Sequence, residues 1–249
     1  MTEHGKSVSA TDRIAASFDK GQVPTIVLID KTRHAWGAKV TQLEAPLQKF
    51  VYEHFGPVWG VSAKLKVATD FVAGSWAIVF LDTADEPGAL GYHDLTPDGL
   101  PLAKIFTQTT LRDRQKVSVT ACHELAEMLV DPAINLSVQT PDGQFYAYET
   151  CDAVEGLEFD IDGVAMSDFV YPSWFEGFRA TRSDQFDHLS EVAGPFEILA
   201  GGYMPAFVNG KWTQVFGSHK RKMQFLHQDR RGHRSERRGS LLRRSTEPQ

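Results

Sequence analysis

The sequence predicts an α+β fold, a mixed sheet packed on one chemistry-bearing helix, and three observations predict it. Residues 25–30 (Thr-Ile-Val-Leu-Ile-Asp) and 75–82 are short apolar runs bounded by turn or charged residues, which is how buried strands read. Between them Val40, Leu43, Leu47, Phe50, Val51 and Phe55 recur at helical spacing. Residues 117–132 carry a second helical pattern with two distinct faces. Strand, helix, strands and then a final helix is an α+β order.

Taken in order, residues 1–22 read as a polar, flexible leader without the apolar core of a secretory signal. The strand at 25–30 follows Pro24, and the helix from Val40 to Phe55 is expected to stop at Gly56-Pro57. Residues 65–69 form a short alternating segment before the strand at 75–82. A turn-rich stretch leads to residues 89–94, and the loop 96–99 separates these from residues 102–107. After the helix at 117–132, Pro141-Asp142-Gly143 is a turn, and residues 144–152 read as a strand running into a loop. Residues 160–163 and Asn209-Gly210 are hairpin turns. Phe169, Tyr171, Trp174 and Phe175 are expected to pack in the core or over the helix, the alternative being the wall of a cleft. One domain, 23–217, is the reading, followed by a tail, 218–249.

Composition narrows the class. The 249 residues are 42% hydrophobic and 23% charged, an ordinary globular balance with room for a sizeable core. No apolar run approaches the length of a membrane span. Cys122 and Cys151 do not make a disulfide framework, so a reduced, cytoplasmic setting is the default; a bridge or a shared metal site between them is the lesser alternative, because Cys122 points off the arc of His123. The net charge of −6 hides an asymmetry, because residues 220–249 hold ten Lys and Arg against three acids. That basic tail reads as disordered. It would contact nucleic-acid phosphates, or serve only to solubilise the chain; nearly no aromatics are interleaved for base stacking.

The helix at 117–132 carries the chemistry. Ala121, Leu125, Met128 and Leu129 fall on one apolar arc, and Thr120, His123, Glu124, Glu127 and Asp131 on another roughly 100° wide. His123 and Glu127 are one turn apart, so both can converge on a single ion, with Glu124 beside them to reach a water on it. This is the spacing logic of the His-Glu-x-x-His zinc helix, with Glu127 in place of the second His. The competing reading is an amphipathic helix with a solvated acidic face. Asp131 lies two turns from His123, roughly 12 Å along the axis, too far to share its ion. It reads as an acceptor for backbone groups at the helix end, and Asp131-Pro132 stops the helix.

Residues 88–94 (Gly-Ala-Leu-Gly-Tyr-His-Asp), a loop, residues 103–107 and then His123-Glu124 resemble the core of the zincin metallopeptidases over roughly 25–132. The whole chain also resembles a group of phage and prophage proteins that carry a His-Glu-x-x-Glu-x-x-x-Asp-Pro helix, here His123 to Pro132. The zincin resemblance implies an edge strand bordering a substrate cleft, zinc as cofactor and Glu124 as general base toward a zinc-activated water. It implies a third ligand from a later segment. Glu149 is the first candidate and Asp152 the second, as ligand or as partner to His123. So oxygen-rich a set also suits Mn²⁺, Mg²⁺ or Ca²⁺. Tyr92 or His93 would stabilise an oxyanion, with a surface position the plainer expectation for His93. A peptide or protein substrate follows from this reading. The alternatives are a catalytically degenerate zincin-like module that binds a partner, and a phage accessory or virion protein, in host cytoplasm or virion, whose tail binds nucleic acid.

Overall fold

The computed structural model describes residues 23–85, 89–179, 184–220 and 222. The apolar runs become strands. β1 (Thr25–Asp30), β2 (Lys64–Ala68), β3 (Trp76–Leu81), β4 (Gly91–Leu95) and β5 (Pro101–Phe106) form a sheet of five in the order β2-β1-β3-β5-β4. The pairs β1–β2, β1–β3 and β3–β5 are parallel, and β4 runs antiparallel to β5 at the sheet's edge. β1 and β3 are apolar without alternation because both of their faces are covered: Ile26, Leu28, Ile78 and Phe80 join the main core, while Val27, Ile29, Ala77 and Val79 form a smaller cluster.

The crossing from β1 to β2 departs from expectation. α1 (Val40–Lys49) continues through a π-helical segment, Phe50–Phe55, into a last turn, α2 (Gly56–Trp59). The expected stop at Gly56-Pro57 is therefore corrected to Gly60. The N–H of Gly56 donates to the carbonyl of Val51, five residues back, so the ladder is already widened there. Pro57 opens the next turn, where a missing N–H costs nothing. After β5 comes α3 (Thr107–Arg112), a short helix with no counterpart in the sequence reading, and then α4 (Val117–Val130). Asp131 ends α4 as expected. Its Oδ1 accepts the backbone N–H of Asn135 at 2.9 Å and of Leu136 at 3.1 Å.

The second half adds an antiparallel sheet of β6 (Ser137–Gln139), β7 (Phe145–Ala147), β10 (Tyr203–Val208) and β11 (Lys211–Phe216), ordered β11-β10-β7-β6. A separate hairpin, β8 (Glu158–Ile161) and β9 (Val164–Ser167), packs on α4. Both expected hairpin turns form, with positive φ at Asp162 and Gly163 and at Asn209 and Gly210. Phe169, Trp174 and Phe175 are buried, so the aromatic cluster is core. Among the described residues no helix is long and apolar enough to cross a membrane. The leader 1–22 and, within the basic tail, residue 221 and residues 223–249 lie outside the described residues.

Candidate metal centre

α4 is buried all round. Its apolar arc, Ala121, Leu125, Met128 and Leu129, meets the core, and its polar arc is covered too, with Glu124 only 3% exposed and Glu127 at 0%. A solvated acidic face is thereby excluded. Three elements of different sequence origin enclose that arc: the edge strand β4, the helix itself, and the segment Tyr148–Asp152 that leaves β7. The approach of β4 depends on Gly91. A β-carbon there would stand 2.9 Å from Thr120 Cγ2 and 3.1 Å from Glu124 Cγ. Strand alternation puts His93 on the same face of β4 as Gly91.

His93 is buried at 2% exposure, which corrects the surface position expected for it. Its Nδ1 lies 3.4 Å from Glu124 Oε2 and 3.7 Å from Glu127 Oε2, and its Nε2 lies 3.9 Å from Glu149 Oε2. Tyr92, one residue earlier, points to the opposite face and takes no part. Its hydroxyl donates to Asp85 at 2.9 Å and accepts from Lys104 at 2.7 Å, and burial pushes its pKa up to about 12.

His123 meets the other side of Glu127. Its Nε2 stands 3.1 Å from Glu127 Oε1 and 3.1 Å from Asp152 Oδ1. The i, i+4 convergence expected from spacing is present, and Asp152 joins it. Burial alone would lower the His123 pKa; the carboxylates of Glu127, Asp152 and Glu124 oppose burial and raise it well above the ordinary imidazole range. Glu149, the first-ranked third ligand, comes to Glu127 from the His93 side instead. Cys151, weighed from sequence only for a site shared with Cys122, has its thiol within 4.8 Å of donor atoms of His123 and Glu127, and its N–H donates to Glu127 Oε1 at 3.3 Å. Burial raises its pKa, as does the Glu127 charge, which favours the protonated thiol. Both cysteines are free, so no disulfide joins them.

The donor set fits a divalent cation. Around an ion with bonds of about 2.0–2.2 Å, neighbouring ligand atoms stand about 3.0–3.5 Å apart. The two contacts of His123 Nε2 have that spacing. Glu124, Glu127, Glu149 and Asp152 are four buried carboxyl groups around two imidazoles, a set of oxygen and nitrogen donors that suits a divalent cation. His123, with its side chain 12% exposed, is the most accessible of the six. A cavity of about 310 Å³ lies elsewhere, past the end of α4, lined by Val61, Leu129 and Leu136 among others. Comparison with protein-family models, with curated proteins and with solved structures finds no match to the chain.

Proposed function

We propose that the chain is a metal-dependent hydrolase of zincin type that cleaves peptide or protein amide bonds. The observation that carries this reading is that Glu127 and Asp152 both approach His123 Nε2, each at 3.1 Å, in a buried, acid-rich cluster that also holds Glu124, between α4 and an antiparallel edge strand. The sheet order, with β4 at the edge and α4 following soon after, supports the zincin comparison. His123 and Glu127 would hold the ion, with Asp152 beside His123 or the Cys151 thiol as the third ligand and zinc the first candidate. A divalent ion there supplies activation of a water and polarisation of a carbonyl. Glu124 is the general base. It is buried in the same cluster, where a carboxylate is positioned to take a proton and pass it to a leaving amine. Its contact with His93 at 3.4 Å restrains the carboxylate.

One observation favours a second reading. Glu124, Glu127, Glu149 and Asp152 are at most 3% exposed, which suits an ion with a structural role in a partner-binding module. Elemental mass spectrometry and peptide-library hydrolysis on wild type, His123→Ala and Glu124→Gln separate the two. The hydrolase reading expects bound metal, its loss in His123→Ala, and metal retained in Glu124→Gln with turnover reduced roughly 10²–10⁴-fold. Metal without hydrolysis of any library member supports the structural role. A metal-free wild type after zinc is added back overturns both.

A further inference from the structure

Resting on the metal reading above, we infer that the centre is dinuclear: a second divalent cation sits on His93 and Glu149, and the Glu127 carboxylate bridges it to the first. The two oxygens of Glu127 face different histidines. Oε1 is 3.1 Å from His123 Nε2, and Oε2 is 3.7 Å from His93 Nδ1. Each histidine has a further carboxylate of its own, Asp152 for His123 and Glu149 for His93; Glu149 faces Nε2 of His93 and Glu127 faces Nδ1, so one ion takes a single nitrogen of that ring. The donor atoms of His93, Glu127 and Glu149 all lie within 4.8 Å of one another, as do those of His123, Glu127 and Cys151. Glu127 belongs to both groups, and it is 0% exposed. A carboxylate that shares its oxygens between two ligand sets is the bridge of a two-metal site, where the ions stand about 3.5–4 Å apart.

A loaded site would also balance in charge. Metal binding requires neutral histidines and deprotonated carboxylates, so Glu127, Glu149 and Asp152 as ligands, with Glu124 beside them, would offset two divalent cations. Imidazole and carboxylate donors suit Mn²⁺, Fe²⁺ or Zn²⁺.

The test uses the full chain, stripped with a chelator and dialysed against Mn²⁺. Bound manganese is counted by elemental mass spectrometry, and electron paramagnetic resonance reports coupling between the ions. Two Mn²⁺ per chain with an exchange-coupled spectrum are expected. Glu149→Gln, nearly isosteric, and His93→Ala should each retain one ion, with the six-line signal of isolated Mn²⁺. One ion per wild-type chain with that isolated signal overturns the pair and leaves the single-ion reading standing. Two ions without coupling overturn the bridge. No ion, with either Mn²⁺ or Zn²⁺, overturns both readings. If neither variant folds by circular dichroism, the wild-type count and spectrum still decide.

Discussion

Gly91 is the residue on which the site's geometry turns, because no side chain separates β4 from α4 at that point. A methyl group there meets Thr120 Cγ2 at 2.9 Å, the Lys104 carbonyl at 3.0 Å and Glu124 Cγ at 3.1 Å. The backbone oxygen cannot move without disturbing the β4–β5 ladder, so the strain falls on the helix and on Glu124. Gly91→Ala is expected to destabilise the protein by about 1–3 kcal/mol, as overpacking does, and to weaken metal binding at the same time. Urea unfolding and metal titration on the variant measure the two effects, and unchanged values for both would refute this account of the packing. The legibility of the site divides along the same line. His123, Glu124 and Glu127 are readable from sequence because helical spacing places them on one arc within a single element. Glu149 and Asp152 are readable as an acidic cluster, though not the side of Glu127 that each would take. His93 is on an edge strand with no local spacing to the helix. The one available signal was the alternation that puts it on the face of Gly91, and a lone glycine in a strand marks close backbone approach.

At the scale of elements, the parts that were legible are those whose surroundings ask the same thing of every residue or whose shape is set locally. β1 and β3 are continuous apolar runs because they are interior strands, and the hairpin turns at Asp162-Gly163 and Asn209-Gly210 are set by local backbone chemistry. The crossing helix was misjudged at its end because Gly56-Pro57 has two physical meanings. It stops a helix in regular register, yet within a π-widened turn it also relieves crowding. A β-carbon on Gly56 would lie 2.4 Å from the Val51 carbonyl oxygen and 2.6 Å from that of Val61. Both atoms are backbone, so neither gives way cheaply. Gly56→Ala is therefore expected to cost about 2–4 kcal/mol, at the upper end of point-mutant effects, by forcing the Phe50–Phe55 segment out of its π register. Phe50 and Phe55 pack on Phe169, so the loss should also appear in near-ultraviolet circular dichroism. A variant as stable as wild type would show that the wide turn is dispensable. β6 and α3 escaped the sequence reading for a simpler reason. At three and six residues they are too short to express a period, and they exist through their partners.

At the scale of the whole molecule, carboxylates recur through the described interior. Among the described residues Asp82, Asp94, Glu124, Glu127, Asp131, Glu149, Asp152, Asp168 and Asp187 are all buried. Most belong to the candidate metal site or accept backbone hydrogen bonds, as Asp187 does from Glu191 at 3.0 Å and Val192 at 2.9 Å. Asp168, which follows β9, is different. Burial pushes its pKa up to about 8, and the charge of Asp187 beside it pushes the same way. The folded protein therefore keeps a proton on Asp168 at pH values where the unfolded chain has released it. Stability from this group is complete below the ordinary carboxylate range, near pH 4, and is lost as pH rises toward 8. The slope within that window is at most about 1.4 kcal/mol per pH unit for one proton. Asn in this place copies the protonated acid: its oxygen can still accept the N–H of Phe169, which Asp168 Oδ1 accepts at 2.8 Å, and its amide can donate toward Asp187. Asp168→Asn should therefore gain on wild type as pH rises. Chemical denaturation of both proteins at pH 5, 6.5 and 8, with chelator present throughout, isolates the effect of the Asp168–Asp187 pair, since titrating groups away from it contribute to both curves. The stability difference is expected to move in favour of the variant by about 1 kcal/mol or more between pH 5 and 8. Parallel curves would mean that Asp168 is ionised in the folded state, and that the Asp168–Asp187 contact is held by something other than a shared proton.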